Sequence, residues 1–383
     1  MSNGTFVCDD CGGDSGANHT HHRCPECAGP LSFVMPDRAF PVEAIAERPA
    51  DMWRYAEAIP EFDEPISLGE VVTPLVPVRL GSHDVFVKCE FAMASGSYKD
   101  RGAAFLISYL KSVGVSEASE DSSGNAGASL AAYAARAAMN LKVFCPASAS
   151  AGKLAQIQLY GAEVVRVPGP RPRATEALLE DIETTGGVYA SHSWHPMFIE
   201  GLRTMAYEIV EQLSWSAPDV VVCPVGGGSI LLGLFEGFSD LVAAGMIDQV
   251  PTLVAVQAEG VSPVVRAFEA GAERVEPQSS AQPTLAEGIA LPAPARDRQV
   301  LRALHACGGA AVAVSEEEIA AAVRSFGRLG LCVEPTSAVV WSGFEHFAQR
   351  HPVDADACVV LILSGHGLKA SESIAALLEP SAA

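Results

Sequence analysis

The stretch DVVVCPVGGGSILLGLFEGF, residues 219–238, restricts the fold more than any other. Its VVVC run has no polar residue to turn toward water, so it reads as a strand buried on both faces. Pro224 and three glycines, Gly226, Gly227 and Gly228, then lead through Ser229 into an apolar helix. With no side chain in the way, successive N–H groups and the positive end of the helix dipole can hold a phosphate. A tight strand-to-helix turn with no ligand is the competing reading. The loop matches neither GxxxxGKS nor GxGxxG, so an ordinary nucleotide site is not implied.

Short apolar strands such as LKVFC and EVVRV alternate with the helical runs GKLAQIQLYG and ATEALLEDIET, the rhythm of a parallel sheet covered by helices. LVAVQA, AVAVSEEEIAAAVRSF and GLCVEPTSAVVWSGF continue it, the last placing Glu334 and Thr336 at a helix start. CVVLILSGHGLK closes the pattern and delivers Ser364, Gly365 and His366 to a strand's carboxyl end, where open parallel sheets bind ligands. At 383 residues the chain is long enough for two domains plus an appendage. Net charge is −21, which argues against nucleic acid or an anionic membrane as a partner. Neither a signal pattern nor a membrane-length apolar run is present, so the expected location is the cytoplasm.

Four of the ten cysteines, Cys8, Cys11, Cys24 and Cys27, form two CxxC pairs near the start. That spacing lets two knuckles gather four thiolates around a structural zinc, while His19, His21 and His22 read as a solvated loop between them. The segment carries little positive charge, so a staple is expected rather than a nucleic-acid reader. The other six cysteines scatter among apolar strands, which suits a reducing compartment. Residues 28–60, rich in proline, read as a connecting arm.

Six lysines are present, Lys88, Lys99, Lys111, Lys142, Lys153 and Lys369, so a reactive one is easily shortlisted. In SGSYKDRG, residues 95–102, a small-residue turn precedes Lys99 and a helical run follows, with Ser97 as the expected cap. This sets the Lys99 amine at the start of a helix beside Arg101, surroundings suited to a nucleophile. On these eight residues alone, a surface lysine opening an ordinary helix competes. DSSGNAGAS, residues 121–129, is a loop of small residues whose amides can approach a ligand, and the helix after it offers its amino end to a carboxylate. Lys153 opens a helix, where it faces either an anion or solvent. His192, His195, Glu200 and Arg203 are chemically usable, with packing as the competing role.

SGSYKDRG, SSGNAGAS, PVGGGS, EPTSA and LSGHGLK together resemble, in order, the motifs of the pyridoxal-phosphate enzymes of fold type II, the tryptophan synthase β family. Within it the chain is most similar to threonine synthase and its relatives, some of which carry an N-terminal zinc ribbon. The resemblance spans about residues 67–370. It implies an α/β chain with a ribbon over residues 1–30, a larger domain from 31–89 and 191–383, and a smaller domain from 90–190 carrying the lysine and carboxylate loop. It further implies a homodimer with pyridoxal 5'-phosphate as cofactor. Lys99 would hold the cofactor covalently and act as base. Asn125 would meet its phenolic oxygen; Gly226, Gly227, Gly228 and Ser229 its phosphate; Ser364 its ring nitrogen. Ser122, Ser123, Ala126, Gly127, Ala128 and Ser129 would take the substrate carboxylate, with Ser97, Lys153 and Arg203 as candidates for a leaving phosphate.

The implied reaction converts O-phosphohomoserine and water to threonine and phosphate. Three departures bear on the substrate: PVGGGS lacks the asparagines usual between the glycines, MAS replaces the usual lead-in to the lysine, and Arg203 stands where lysine is common. Serine or threonine dehydratase and β-replacement of the cysteate or diaminopropionate synthase type are the alternatives. A zinc-ribbon binding protein with an idle cofactor fold is the remote one.

Overall fold

The computed structural model describes residues 4–16, 19–279 and 282–379. In chain order its strands are β1 (Thr5–Cys8), β2 (Leu31–Val34), β3 (Leu75–Leu80), β4 (His83–Lys88), β5 (Glu117–Glu120), β6 (Asn140–Pro146), β7 (Glu163–Val167), β8 (Val188–Tyr189), β9 (Val220–Pro224), β10 (Thr252–Ala258), β11 (Ala310–Val314) and β12 (Val359–Ile362). The helices are α1 (Val42–Glu47), α2 (Lys99–Ser112), α3 (Asn125–Arg136), α4 (Ala151–Leu159), α5 (Arg171–Thr185), α6 (Pro196–Gln212), α7 (Ser229–Ala243), α8 (Pro263–Glu269), α9 (Asp297–Ala306), α10 (Glu316–Arg328), α11 (Pro335–Arg350) and α12 (Ser371–Leu378). Among the described residues no helix is long and apolar enough to cross a membrane.

Two compact units emerge, one of Met1–Val72 with Lys99–Thr204, the other of Thr73–Tyr98 with Met205–Ala383. The first holds a four-stranded sheet ordered β7-β6-β5-β8, with every pairing parallel. Helix α5 lays Ala174 and Leu178 against Phe144 and Tyr189 of this sheet. The chain's start belongs to the same unit: β1 and β2 pair antiparallel, and Cys8, Cys24 and Leu31 pack together beneath them. Part of the expected proline arm is therefore ordered structure. LSFV alternates buried and outward residues, the period a half-buried strand requires, and this makes it the partner of β1.

The second unit is built on a six-stranded sheet, β11-β10-β9-β12-β4-β3. All pairings are parallel except β3 with β4, an antiparallel hairpin turned at Gly81 (φ 58°). Pro77 is tolerated in β3 because that strand is the sheet edge and has one side without a ladder. Every residue of β9 and β12 is buried, as the uninterrupted apolar runs require. Helix α10 starts in a capping box, Ser315 accepting from the Glu318 amide while the Glu318 side chain returns to Ser315.

Candidate active site

In the first unit, α2 opens on Lys99, as the sequence predicts. The capping expectation fails: the Ser97 hydroxyl is fully buried and has no hydrogen-bond partner. Lys99 Nζ lies 5.5 Å from the centre of the Phe198 ring. Phe198 also fills the space beside Gly102, where an added Cβ would come within 2.6 Å of it. The other lysine amines with described side chains have partners too. Lys88 is fully buried on Glu208 (2.7 Å) and Thr73 O (2.8 Å), Lys111 reaches Ala137 O (3.0 Å), and Lys369 reaches Ser95 O (2.8 Å). Lys142 sits between Glu117 and Asp181. The Lys153 side chain lies outside the described residues.

The small-residue loop expected over residues 121–129 ends five residues sooner, at Gly124. Helix α3 begins at Asn125 with Gly124 ahead of it, so Ala126, Gly127, Ala128 and Ser129 form its buried first turns while Ser122 and Ser123 remain in the loop. Gly127 is obligatory, since a Cβ there would meet the Ser122 carbonyl oxygen at 1.8 Å. The Ser129 hydroxyl donates to Asp100 (2.6 Å), tying α3 to the first turn of α2. Arg203 pairs with Glu200 at 2.8 Å, and the same carboxylate takes Arg38 at 2.7 Å, so part of the Arg203 charge is already balanced. His195 packs against Phe6 and Tyr109, the packing role.

In the second unit, β9 runs straight into the glycine loop. Gly228 adopts φ 88°, and a Cβ there would strike Val300 at 2.2 Å; one on Gly226 would meet the Ile289 backbone at 2.9 Å. Only glycine fits such a turn. Helix α7 starts immediately after, so its first N–H groups and dipole face the loop. The end of β12 supplies Ser364, buried, with its hydroxyl 3.1 Å from that of Ser337. Tyr98 joins these pieces, a connection that sequence reasoning missed. Its amide donates to Ser364 O (3.0 Å), its hydroxyl lies 3.0 Å from Ser229 Oγ, and its peptide bond leads into Lys99. An aromatic between a turn and a lysine carries no signal of such a partner.

A second feature missed in the sequence is a buried polar cluster at the end of β5. Glu120 is paired with His192 Nδ1, and Asp121 accepts from Thr175 Oγ1 at 2.5 Å. Burial, then the neighbouring Asp121, pushes the Glu120 carboxyl well above its usual range, and burial followed by the Lys99 charge takes His192 down to about 3. Burial opposes the Asp121 charge, but His192, Arg171 and the Thr175 hydrogen bond together hold its carboxyl below the usual range. His192 and Glu120 stand 72 residues apart, so no local pattern announces them.

At the amino end, Cys8 and Cys27 place their sulfurs 3.4 Å apart and Cys11 and Cys24 theirs 3.7 Å apart, with all four within 4.8 Å of one another. A zinc tetrahedron with Zn–S bonds of about 2.3 Å has edges of about 3.8 Å, so the set has the right size. Backbone amides of Cys27 and Glu26 draw the Cys24 thiol down to about 7.

A covered parallel sheet running into a three-glycine turn and a helix amino end in one unit, and a helix opened by a lysine after a small-residue turn in the other, are the marks of a cofactor-dependent α/β enzyme. Residues 66–365 match the family described as pyridoxal-phosphate dependent enzyme, and the chain belongs to it; its fold is the two-domain fold type II. Its cofactor is pyridoxal phosphate. A threonine synthase of Methanocaldococcus jannaschii is 34% identical over 376 residues, covering 94% of this chain and 92% of that protein. One from Mycobacterium bovis is 32% identical, with 82% of this chain and 87% of that protein covered. Among solved structures, a threonine deaminase from T.th. superposes with a TM-score of 0.66 at 28% identity, covering 77% of this chain and 92% of that one.

Proposed function

We propose that the chain converts O-phosphohomoserine and water to threonine and phosphate. The observation that carries this reading is the similarity to threonine synthases, at 34% identity with 94% of the chain covered. When bound, pyridoxal phosphate supplies an aldehyde that an amine can capture and a ring that withdraws electrons from a substrate carbon. Lys99 is the amine that holds it. With substrate bound, Lys99 would also serve as the base that carries protons between substrate carbons. Gly226, Gly227, Gly228 and Ser229 bind the cofactor phosphate through backbone N–H groups and the α7 dipole. Asn125 orients the phenolic oxygen. Ser122, Ser123 and the first-turn amides of α3, from Ala126 to Ser129, take the substrate carboxylate.

Ser364 gives the ring nitrogen a neutral hydroxyl in place of a carboxylate. A hydroxyl cannot keep that nitrogen protonated, which favours elimination and replacement over transamination. Ser97, Lys153 and Arg203 are assigned to the leaving phosphate; the unpartnered Ser97 hydroxyl supports its share. We extend the reading to a structural zinc on Cys8, Cys11, Cys24 and Cys27, and to a homodimer in the cytoplasm.

The test is a panel of phosphohomoserine, phosphoserine, serine, threonine and acetylserine with nucleophiles, read by product mass. Threonine and phosphate from phosphohomoserine are expected. Turnover of serine or phosphoserine with none of phosphohomoserine would replace this reading with dehydratase or β-replacement chemistry.

A further inference from the structure

The end of β5 carries a group of side chains that the proposed reaction leaves unused. Glu120 and Asp121 are consecutive, and His192 follows β8, which pairs in parallel with β5. Glu120 is 0% exposed and Asp121 7%, so both carboxylates are at least nine-tenths buried, and the His192 side chain is 11% exposed. One oxygen from each carboxylate and one ring nitrogen of His192 lie within 4.8 Å of one another.

Each carboxylate is only half satisfied. Glu120 Oε1 meets His192 Nδ1, and Asp121 Oδ2 accepts from Thr175. The opposite oxygens, Glu120 Oε2 and Asp121 Oδ1, are buried without a hydrogen bond of good geometry, with the Tyr189 hydroxyl the neighbour that acts on Asp121. The charge of Arg171 acts on both carboxylates and that of Lys99 on Glu120, without a direct ion pair to either among the described residues. Buried carboxylate oxygens are normally paired, hydrogen-bonded or bound to a metal, because leaving them bare forfeits their hydration with nothing in return. A cation that both carboxylates and the imidazole can ligate would satisfy the two bare oxygens at once.

We propose that Glu120, Asp121 and His192 form a cation site that takes a divalent first-row metal of the Mn²⁺ type. Two carboxylates and one imidazole suit Mn²⁺, Fe²⁺ or Zn²⁺, whereas the four thiolates of the amino-terminal cluster select zinc. Two sites of different hardness can thus fill independently in one chain. A cation here fixes the end of β5, and with it the loop of Ser122 and Ser123 that follows directly. The inference does not rest on the proposed reaction, and either can fail without the other.

The test uses the full chain as purified, with cofactor and zinc in place. Mn²⁺ is titrated in and its free form followed by electron paramagnetic resonance, with Zn²⁺ and Mg²⁺ as competitors. One saturable Mn²⁺ per chain is expected, weakened more than about tenfold in Glu120→Gln and in Asp121→Asn. Cys11→Ser leaves it unchanged. Pulsed resonance on the wild-type complex, which needs no variant to fold, is expected to show nitrogen coupling from one imidazole. Absence of saturable binding, binding that survives both acid-to-amide changes, or a bound Mn²⁺ without nitrogen coupling would each overturn the site.

Discussion

The ends of β9 and β5 solve opposite problems with opposite materials. Beyond β9 the chain removes every side chain, at Gly226, Gly227 and Gly228, leaving a turn that only glycine can make. Beyond β5 it crowds charge together, with Glu120 and Asp121 followed by Ser122, Ser123 and Asn125. An anion held by backbone amides needs space and a helix end; a cation or an ammonium needs carboxylates and shelter from water. Local composition announces the first kind of end. The second emerges only when distant segments meet.

Lys99→Ala gives the largest expected effect and separates these roles. Turnover should fall by about 10³-fold or more, because both the covalent hold and the base are lost. Non-covalent cofactor should still bind through the glycine end, which equilibrium dialysis measures. If affinity for the cofactor vanishes with the amine, the backbone cradle is not the main phosphate site.

Alanine at the two tightest glycines sharpens the comparison. Gly228→Ala forces a left-handed residue against Val300 and should cost about 2 kcal/mol of stability and more than about tenfold in cofactor affinity. Gly127→Ala drives a methyl into the Ser122 carbonyl and should act on the other end, raising KM for substrate while cofactor affinity is kept. Equal losses of cofactor affinity in both variants would erase the division of labour.

Chelation of the amino-terminal cluster comes next. If the four thiolates hold zinc as proposed, chelation frees Cys8 and Cys24 from their packing with Leu31 and leaves β1 and β2 to their own ladder and the Phe6 contacts with Phe33, Tyr109 and His195. Calorimetry should show a lower melting temperature that added zinc restores. The smallest effect is expected at Glu318→Gln in the α10 capping box, about 1 kcal/mol. Burial opposes the Glu318 charge, but Ser315 and His346 outweigh it and hold the carboxyl below its ordinary 4.5. Its contribution is therefore full above pH 4.5 and fades as pH falls through the lowered folded value. The wild-type and variant melting curves should converge in acid and separate at neutral pH.

The sheet strands and the loops on them were legible because buried parallel strands leave uninterrupted apolar runs and glycine triplets have few other uses. Lys99 at the first turn of α2 was legible from the small residues before it. The Ser97 cap was not, because capping propensity is a local average and the buried Ser97 hydroxyl has no hydrogen-bond partner. Nor could the strand inside the proline-rich arm be read: LSFV is four residues long, and its pairing with β1 is decided 23 or more residues away. Glu120, Asp121 and His192 were hidden for the same reason, as was the double anchoring of Tyr98. Sequence proximity reports backbone chemistry well and the meeting of remote side chains poorly.

The central claim, that Lys99 carries the cofactor, is tested most directly by borohydride reduction of the purified protein followed by peptide mapping. A pyridoxyl group on the peptide containing residues 95–102, at Lys99, is the expected result. Label on Lys88, Lys111, Lys142, Lys153 or Lys369, or protein that stays colourless and unlabelled when pyridoxal phosphate is supplied, would contradict it.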